Sequence, residues 1–126
     1  MHKSRLGGFI IDCQHADLDE AATFWSLALG LTAEKSPAPE ESKYRALSGK
    51  TSGLHIEVQT VEHPSRVHLD IETDDIEAEV ERLEKLGARR VGEVHSWVVM
   101  QAPTGQFFCV VRAESEQFDD QANRWD

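Results

Sequence analysis

The chain has 126 residues, 40% hydrophobic and 29% charged. That is the size and composition of one ordinary globular domain, able to bury roughly two-thirds of its unfolded surface without covalent staples. Thirteen basic against twenty-three acidic side chains leave a formal charge of −10, which repels phosphate backbones and anionic lipid and argues against nucleic acid or a membrane surface as partner.

No apolar run approaches the ~20 residues of a membrane span. The opening "MHKSRLGGF" carries basic residues without the apolar stretch and cleavage site of a signal peptide. Cys13 and Cys109 are far apart in sequence, in apolar contexts, with no CxxC. They are expected to be free core thiols of a cytoplasmic protein.

In chain order, "GGFIIDC" from Gly7 is a short strand rich in β-branched residues. "DLDEAATFWSLALG" (Asp17 to Gly30) is a helix marked at both ends: Asp17 caps the first turn, Glu20 completes an Asp-x-x-Glu box, and Gly30 stops it. Leu18, Ala21, Trp25 and Ala28 form its expected buried stripe. The prolines of "SPAPEES" (Ser36 to Ser42) mark a surface loop.

"KYRAL", "LHIEVQTV" and "RVHLDIET" alternate as strands do. Leu54, Ile56 and Val58 oppose His55, Glu57 and Gln59; Val67, Leu69 and Ile71 oppose Arg66, His68, Asp70 and Glu72. A second helix, "DDIEAEVERLEKLG" (Asp74 to Gly87), has Asp74 and Glu77 as its capping box and Ile76, Val80, Leu83 and Leu86 as its stripe. Its acidic outer face is expected to be solvated. "ARRVGEV", "SWVVMQA" and "QFFCVV" are three more strands, the last two joined by the turn "PTG". The polar tail from Ala113 is unassigned, with Phe118 and Trp125 as docking points.

The two helices have equal length, both begin Asp-x-x-Glu and both end Leu-Gly. With a strand before and about three after each, the chain is a duplicated β-α-β-β-β unit. The expected fold is α+β: two tandem modules laid into one curved mixed sheet, helices on the convex face and a cleft on the concave face.

"FWSLALGL" (Phe24 to Leu31), "RVHLDIETDDIEAEVERLEKLGARRV" and "APTGQFFCVV" (Ala102 to Val111) together resemble the vicinal oxygen chelate (VOC) superfamily, the glyoxalase, bleomycin resistance and dioxygenase type. The resemblance implies a single glyoxalase-like domain over 1–126, with module one about 8–61, module two about 66–112 and an acidic tail 113–126. It also implies a homodimer. Metal-dependent members hold a divalent ion with His, Gln or Glu from four strands, as a Lewis acid for vicinal oxygens.

Carried over by position, the resemblance implies His68 as the histidine that opens module two and a site at or near Glu57. The first-module position falls on Ile10 or Ile11, neither a ligand, and the last position, four residues after Gly105, on Cys109 instead of Glu. Ala102 and Gln106 depart from the family's Asp and Asn in the closing turn. No firm metal ligand set is therefore expected, the candidates being His68, Glu57 and Cys109; no cofactor is expected, with a divalent metal as the alternative.

His68 and Glu57 are the candidate catalytic groups, and His55, Gln59, Asp70 and Trp97 the candidate ligand-binding residues. His68 reads either as a pocket base or hydrogen-bonding anchor, or as a wall histidine bonded to Asp70 or a backbone carbonyl. Trp97 reads as strand packing or as a stacking surface. His55 and His63 read as exposed rather than catalytic, and His2, His15 and His95 carry no signal. Two functions remain: a small-molecule-binding protein with a degenerate metal site, suited to a cationic or aromatic ligand, or a lyase, isomerase or ring-cleaving dioxygenase using a metal or a His/Glu base.

Overall fold

The structure, a computed structural model, describes residues 1–35 and 43–126. The loop expected over Ser36 to Ser42 lies outside the described residues. The chain is α+β and divides into two compact units, Gly8–Val67 and Met1–Gly7 with His68–Asp126. Strand β1 (His2–Gln14) contributes its first residues to the latter unit and the rest to the former. "MHKSRL" is thus largely strand, extending the one expected from Gly7.

The unit Gly8–Val67 contains α1 (Leu18–Leu29), β2 (Thr32–Ala33), β3 (Tyr44–Ser48) and β4 (His55–Val61) after the end of β1. The strand order is β2-β3-β4-β1, with β4 parallel to β1 and the other pairs antiparallel. Asp17 accepts the Glu20 amide, and Gly30 closes the helix at φ 69°, a left-handed value that favours glycine. Ile11, Leu47 and Val58 make the core, with Leu18, Ala21 and Trp25 of α1 packed on it. Ala28 is exposed and Ala22 buried, so the apolar stripe is rotated toward Ala22 from the expected one.

The other unit contains β5 (Arg66–Thr73) from His68 on, α2 (Ile76–Lys85), β6 (Arg89–Val94), β7 (Trp97–Gln101) and β8 (Phe107–Arg112), the same β-α-β-β-β order. Its strands run β1-β5-β8-β7-β6. Val80 and Leu83 of α2 pack on Val98, Met100, Phe108 and Val110. Leu86 is exposed, because the helix ends at Lys85 and the stripe ends with it.

The N-cap of α2 is Asp75, which accepts the Ala78 amide, rather than Asp74. Asp74 instead accepts the Lys3 amide from β1. Shifting the cap by one residue removes Glu77 from the box position, and Glu77 pairs with Arg90 at 2.7 Å.

The acidic face of α2 is not wholly solvated. Glu79 is fully buried. Its Oε1 accepts from His2 Nε2 at 2.7 Å and from Arg82 Nε at 2.8 Å, and its Oε2 accepts from Arg82 Nη2 at 2.8 Å. Three residues after Ile76 and four before Leu83, Glu79 lies on the helix's apolar side. Burial pushes its carboxyl up, but hydrogen bonds from Arg82, His2 and Ser4 and the Arg82 charge outweigh burial and hold it below the ordinary glutamate value.

The tail is built onto this cluster through α3 (Phe118–Gln121) and β9 (Asn123–Trp125). β9 pairs antiparallel with His2–Ser4. The Arg82 guanidinium lies 3.9 Å from the Trp125 ring centroid, and Trp125 Nε1 donates to Ser4 Oγ at 2.8 Å. Phe118 is buried. Ser115 donates to Glu72, and Arg5 donates to Gln121.

Glu79→Gln is expected to destabilise the protein by on the order of 2 kcal/mol at neutral pH, because it weakens the charge-assisted hydrogen bonds to the half-buried Arg82 guanidinium. A carboxyl whose folded value is depressed adds stability above its unfolded value, about 4.3, and loses it as pH falls through the folded value. Urea denaturation from pH 7 to pH 3 should therefore show the variant's stability falling less steeply than the wild type's below about pH 4.5.

Candidate functional site

Strand alternation selects the candidate site in the unit containing His68. On β8, Phe108 and Val110 enter the core beneath α2, so Cys109 faces the other way. On β7, Val98 and Met100 do the same and turn Trp97 and Val99 outward. Register then aligns a row across three strands: Val99 opposite Cys109, and Cys109 opposite Asp70. His68, two residues before Asp70, shares its face.

His68 Nε2 lies 3.6 Å from Asp70 Oδ1. A nitrogen of His68, a carboxylate oxygen of Asp70 and Cys109 Sγ all lie within 4.8 Å of one another. Glu72, next on the same face of β5, is engaged by Arg5 Nε at 3.2 Å and by Ser115 Oγ at 2.7 Å. Cys109 is half-buried and absent from the core cluster, so the expectation of a core thiol does not hold for it. Core packing of its two neighbours forces it to the opposite face.

Over Val67–Asp70 the polar side chains of β5 are more sheltered than the apolar ones. His68 and Asp70 side chains are 13% and 17% exposed, whereas Val67 and Leu69 are 59% and 43% exposed. Sheltered polar groups cost free energy unless paired, and His68 and Asp70 face each other.

Trp97 is half-buried, stands opposite Val94 on β6, and has the His95 ring 5.3 Å away between centroids. His95 sits at the β6–β7 turn with φ 53°.

The remaining candidates belong to the unit Gly8–Val67. Glu57 stands opposite Ile10 on β1 and opposite Ala46 on β3. His55 Nε2 is 3.5 Å from Glu57 Oε1, with the histidine 56% exposed. Gln59 stands opposite Asp12 and Tyr44. Asp12 is buried, with Arg66 Nε at 3.6 Å and His63 Nε2 at 3.9 Å. Cys13 packs beside the core, where burial and the adjacent Asp12 charge push its thiol up and keep it unreactive.

These residues do not fit the hard-donor ion of metal-dependent VOC proteins. Register puts Ile10, not Ile11, beside Glu57, and the side chain there is buried hydrocarbon. Ile11 stands opposite Val58 in the core. A first-module ligand is missing whichever alignment is taken.

Sequence reasoning missed the His2–Glu79–Arg82 cluster, although the position of Glu79 on the apolar side of its helix was a signal for it. It also kept Asp70 apart from the metal candidates, and only strand register brings Asp70 to Cys109.

A family model described as glyoxalase-like domain matches residues 8–111. The chain belongs to the glyoxalase-like domain family, within the VOC superfamily its three motifs resemble. Among solved structures, it is similar to methylmalonyl-CoA epimerase from Mycobacterium tuberculosis, at 17% identity and a TM-score of 0.61, covering 86% of this chain and 89% of that one. It is also similar to a glyoxalase/bleomycin resistance protein/dioxygenase superfamily member from Vibrio splendidus 12B01, at 17% identity and a TM-score of 0.54, covering 90% and 100%. A Streptomyces coelicolor methylmalonyl-CoA epimerase variant in complex with 2-nitronate-propionyl-CoA matches at 15% identity and a TM-score of 0.55, covering 86% and 98%. Comparison with curated proteins gives no match. Among the described residues, no helix is long and apolar enough to cross a membrane.

Alternation makes a stability prediction on β8. Phe108→Ala should cost about 3–5 kcal/mol, the usual penalty of an emptied aromatic site. Cys109→Ala, one residue on and facing away, should cost less than about 1 kcal/mol. Guanidinium denaturation of the two variants measures the difference.

Proposed function

We propose that the chain is a glyoxalase-like small-molecule-binding protein in which His68 and Asp70 anchor the ligand. The observation that carries this reading is the inverted exposure of the middle of β5, with His68 and Asp70 sheltered and Val67 and Leu69 in solvent. A neutral or cationic aromatic ligand suits the site: Asp70 supplies a counter-charge, His68 a donor or acceptor, and Trp97 a stacking face. A net charge of −10 suits a polyanion such as a coenzyme A ester poorly. Binding of this kind needs none of the hard-donor metal chemistry that Ile10 interrupts.

The His68–Asp70 pair supports a second reading, an isomerase or lyase with His68 as general base oriented by Asp70. The resemblance adds Glu57 as an alternative base, so Glu57→Gln belongs beside the variants below.

Thermal-shift measurements with small aromatic cations, neutral aromatics and propionyl-CoA test the first reading. The aromatic probes should raise Tm and propionyl-CoA should not. Asp70→Asn should abolish the shift with cations and reduce it less with neutral aromatics. No shift with any aromatic probe, or one unchanged by His68→Ala and Asp70→Asn, would falsify the assignment.

The same reading includes a homodimer, as the resemblance implies, with exposed Leu6 of β1 and Leu69 of β5 supplying apolar surface. Light scattering at micromolar concentration is expected to return twice the chain mass, and Leu69→Glu to reduce it toward one. Two free thiols support a reducing, cytoplasmic setting.

A further inference from the structure

We propose that Cys109 is a nucleophile with His68 as its proton acceptor, and that it captures small neutral electrophiles of the α,β-unsaturated carbonyl class as covalent adducts. The proposal rests on the reading that His68 and Asp70 face the ligand, and it adds a reacting atom from β8.

Three placements carry it. A ring nitrogen of His68, a carboxylate oxygen of Asp70 and Cys109 Sγ all lie within 4.8 Å of one another. Nucleophile, base and orienting carboxylate are thus together, and such contacts are often looser before a substrate is bound. Asp70 and Cys109 are register partners in a parallel ladder and His68 is two residues along the same strand, so the backbone holds all three on one face. Cys109 is half-buried rather than enclosed, so a small molecule reaches its sulfur.

The surroundings select the electrophile. Phe107 and Val111 flank Cys109 on the same face of β8, and Val99 stands opposite it on β7. An apolar wall of this kind favours an uncharged carbon skeleton, and the Asp70 carboxylate beside the sulfur disfavours an anionic one. The same carboxylate disfavours a free thiolate, so the proton passes to His68 as the bond forms, and Asp70 stabilises the resulting imidazolium.

The chemistry balances as an addition. The sulfur forms a bond to the β-carbon while the S–H bond breaks and its proton moves to His68. The carbon–carbon π pair shifts toward the carbonyl as an enolate, and His68 returns the proton to the α-carbon. No group leaves, and no oxidant or reductant is consumed.

N-ethylmaleimide, a neutral electrophile of this class, tests the proposal on the whole chain, with peptide mass spectrometry reading each cysteine. Cys109 should be modified roughly tenfold faster than Cys13 or more, since burial and the Asp12 charge hold the Cys13 thiol up. Cys109 should also react faster in the folded chain than in the urea-unfolded chain at the same pH, which exposure alone does not produce. His68→Ala should slow Cys109 by roughly tenfold or more and leave the Cys13 rate unchanged. The anionic counterpart, 3-maleimidopropionate, should react more slowly at Cys109 than N-ethylmaleimide, and Asp70→Asn should narrow that difference. A merely structural role for Asp70 would slow both reagents alike.

A Cys109 rate no greater than in the unfolded chain overturns the proposal without recourse to any variant. So does preferential modification of Cys13, or a Cys109 rate unchanged in a His68→Ala variant that circular dichroism shows to be folded. Reversible aromatic-probe binding to the unmodified chain is followed in parallel by thermal shift. If it persists while Cys109 behaves as an ordinary thiol, only the nucleophile falls; if Cys109 reacts as expected while all aromatic probes fail, only the small-molecule-binding reading falls.

Discussion

Strand alternation is the constraint on which the rest of the structure depends. A β-strand that sends one residue into the core must send the next to the opposite face. In β8 the core claims Phe108 and Val110, so Cys109 has one direction left. In β5 the same rule groups His68, Asp70 and Glu72. Parallel pairing in register then sets Asp70 against Cys109, and a polar cluster appears that no single segment of the chain contains. The site is a by-product of core packing: the hydrophobic effect chooses one face, and chemistry collects on the other.

Buried ionic pairing plays a different role. Glu79 receives His2 from β1 and a bidentate Arg82 from its own helix, and Arg82 in turn lies on Trp125. A carboxylate so deep in the protein costs free energy that its partners offset. Its return lies in specificity: the start of β1, helix α2 and the C-terminal tail acquire one mutual arrangement, since any other would strand a charge. Glu72 of β5, with Arg5 and Ser115, joins the start of β1 and the tail to that strand.

Membership in the glyoxalase-like family and the fold follow from the match over 8–111 and from the solved structures, at identities low enough to speak of fold alone. Function must be argued from the site. Ile10 sets hydrocarbon beside Glu57, while Cys109 lies close to His68 and Asp70.

Much of this was legible along the chain. Asp17 and Gly30 mark their helix ends because capping and left-handed closure are local events, decided by the residues themselves. The duplicated Asp-x-x-Glu and Leu-Gly pattern revealed two modules, and period-two alternation grouped His68 with Asp70, because both depend only on near neighbours. Where tertiary partners compete, local signals fail. Asp74 has the look of a cap but bonds Lys3, leaving the cap to Asp75. Glu79 has the look of a solvated charge but is buried by residues from both ends of the chain. Cys109 sits in an apolar run yet leaves the core.

The sequence by itself determined the modules, both ends of α1 and the faces of the strands, since these are set by φ/ψ preference and periodicity over a few residues. Only the tertiary structure decided which faces were covered, which cap won and which donors met. Those outcomes depend on pairing between residues far apart in the chain, and nothing in a local window encodes them.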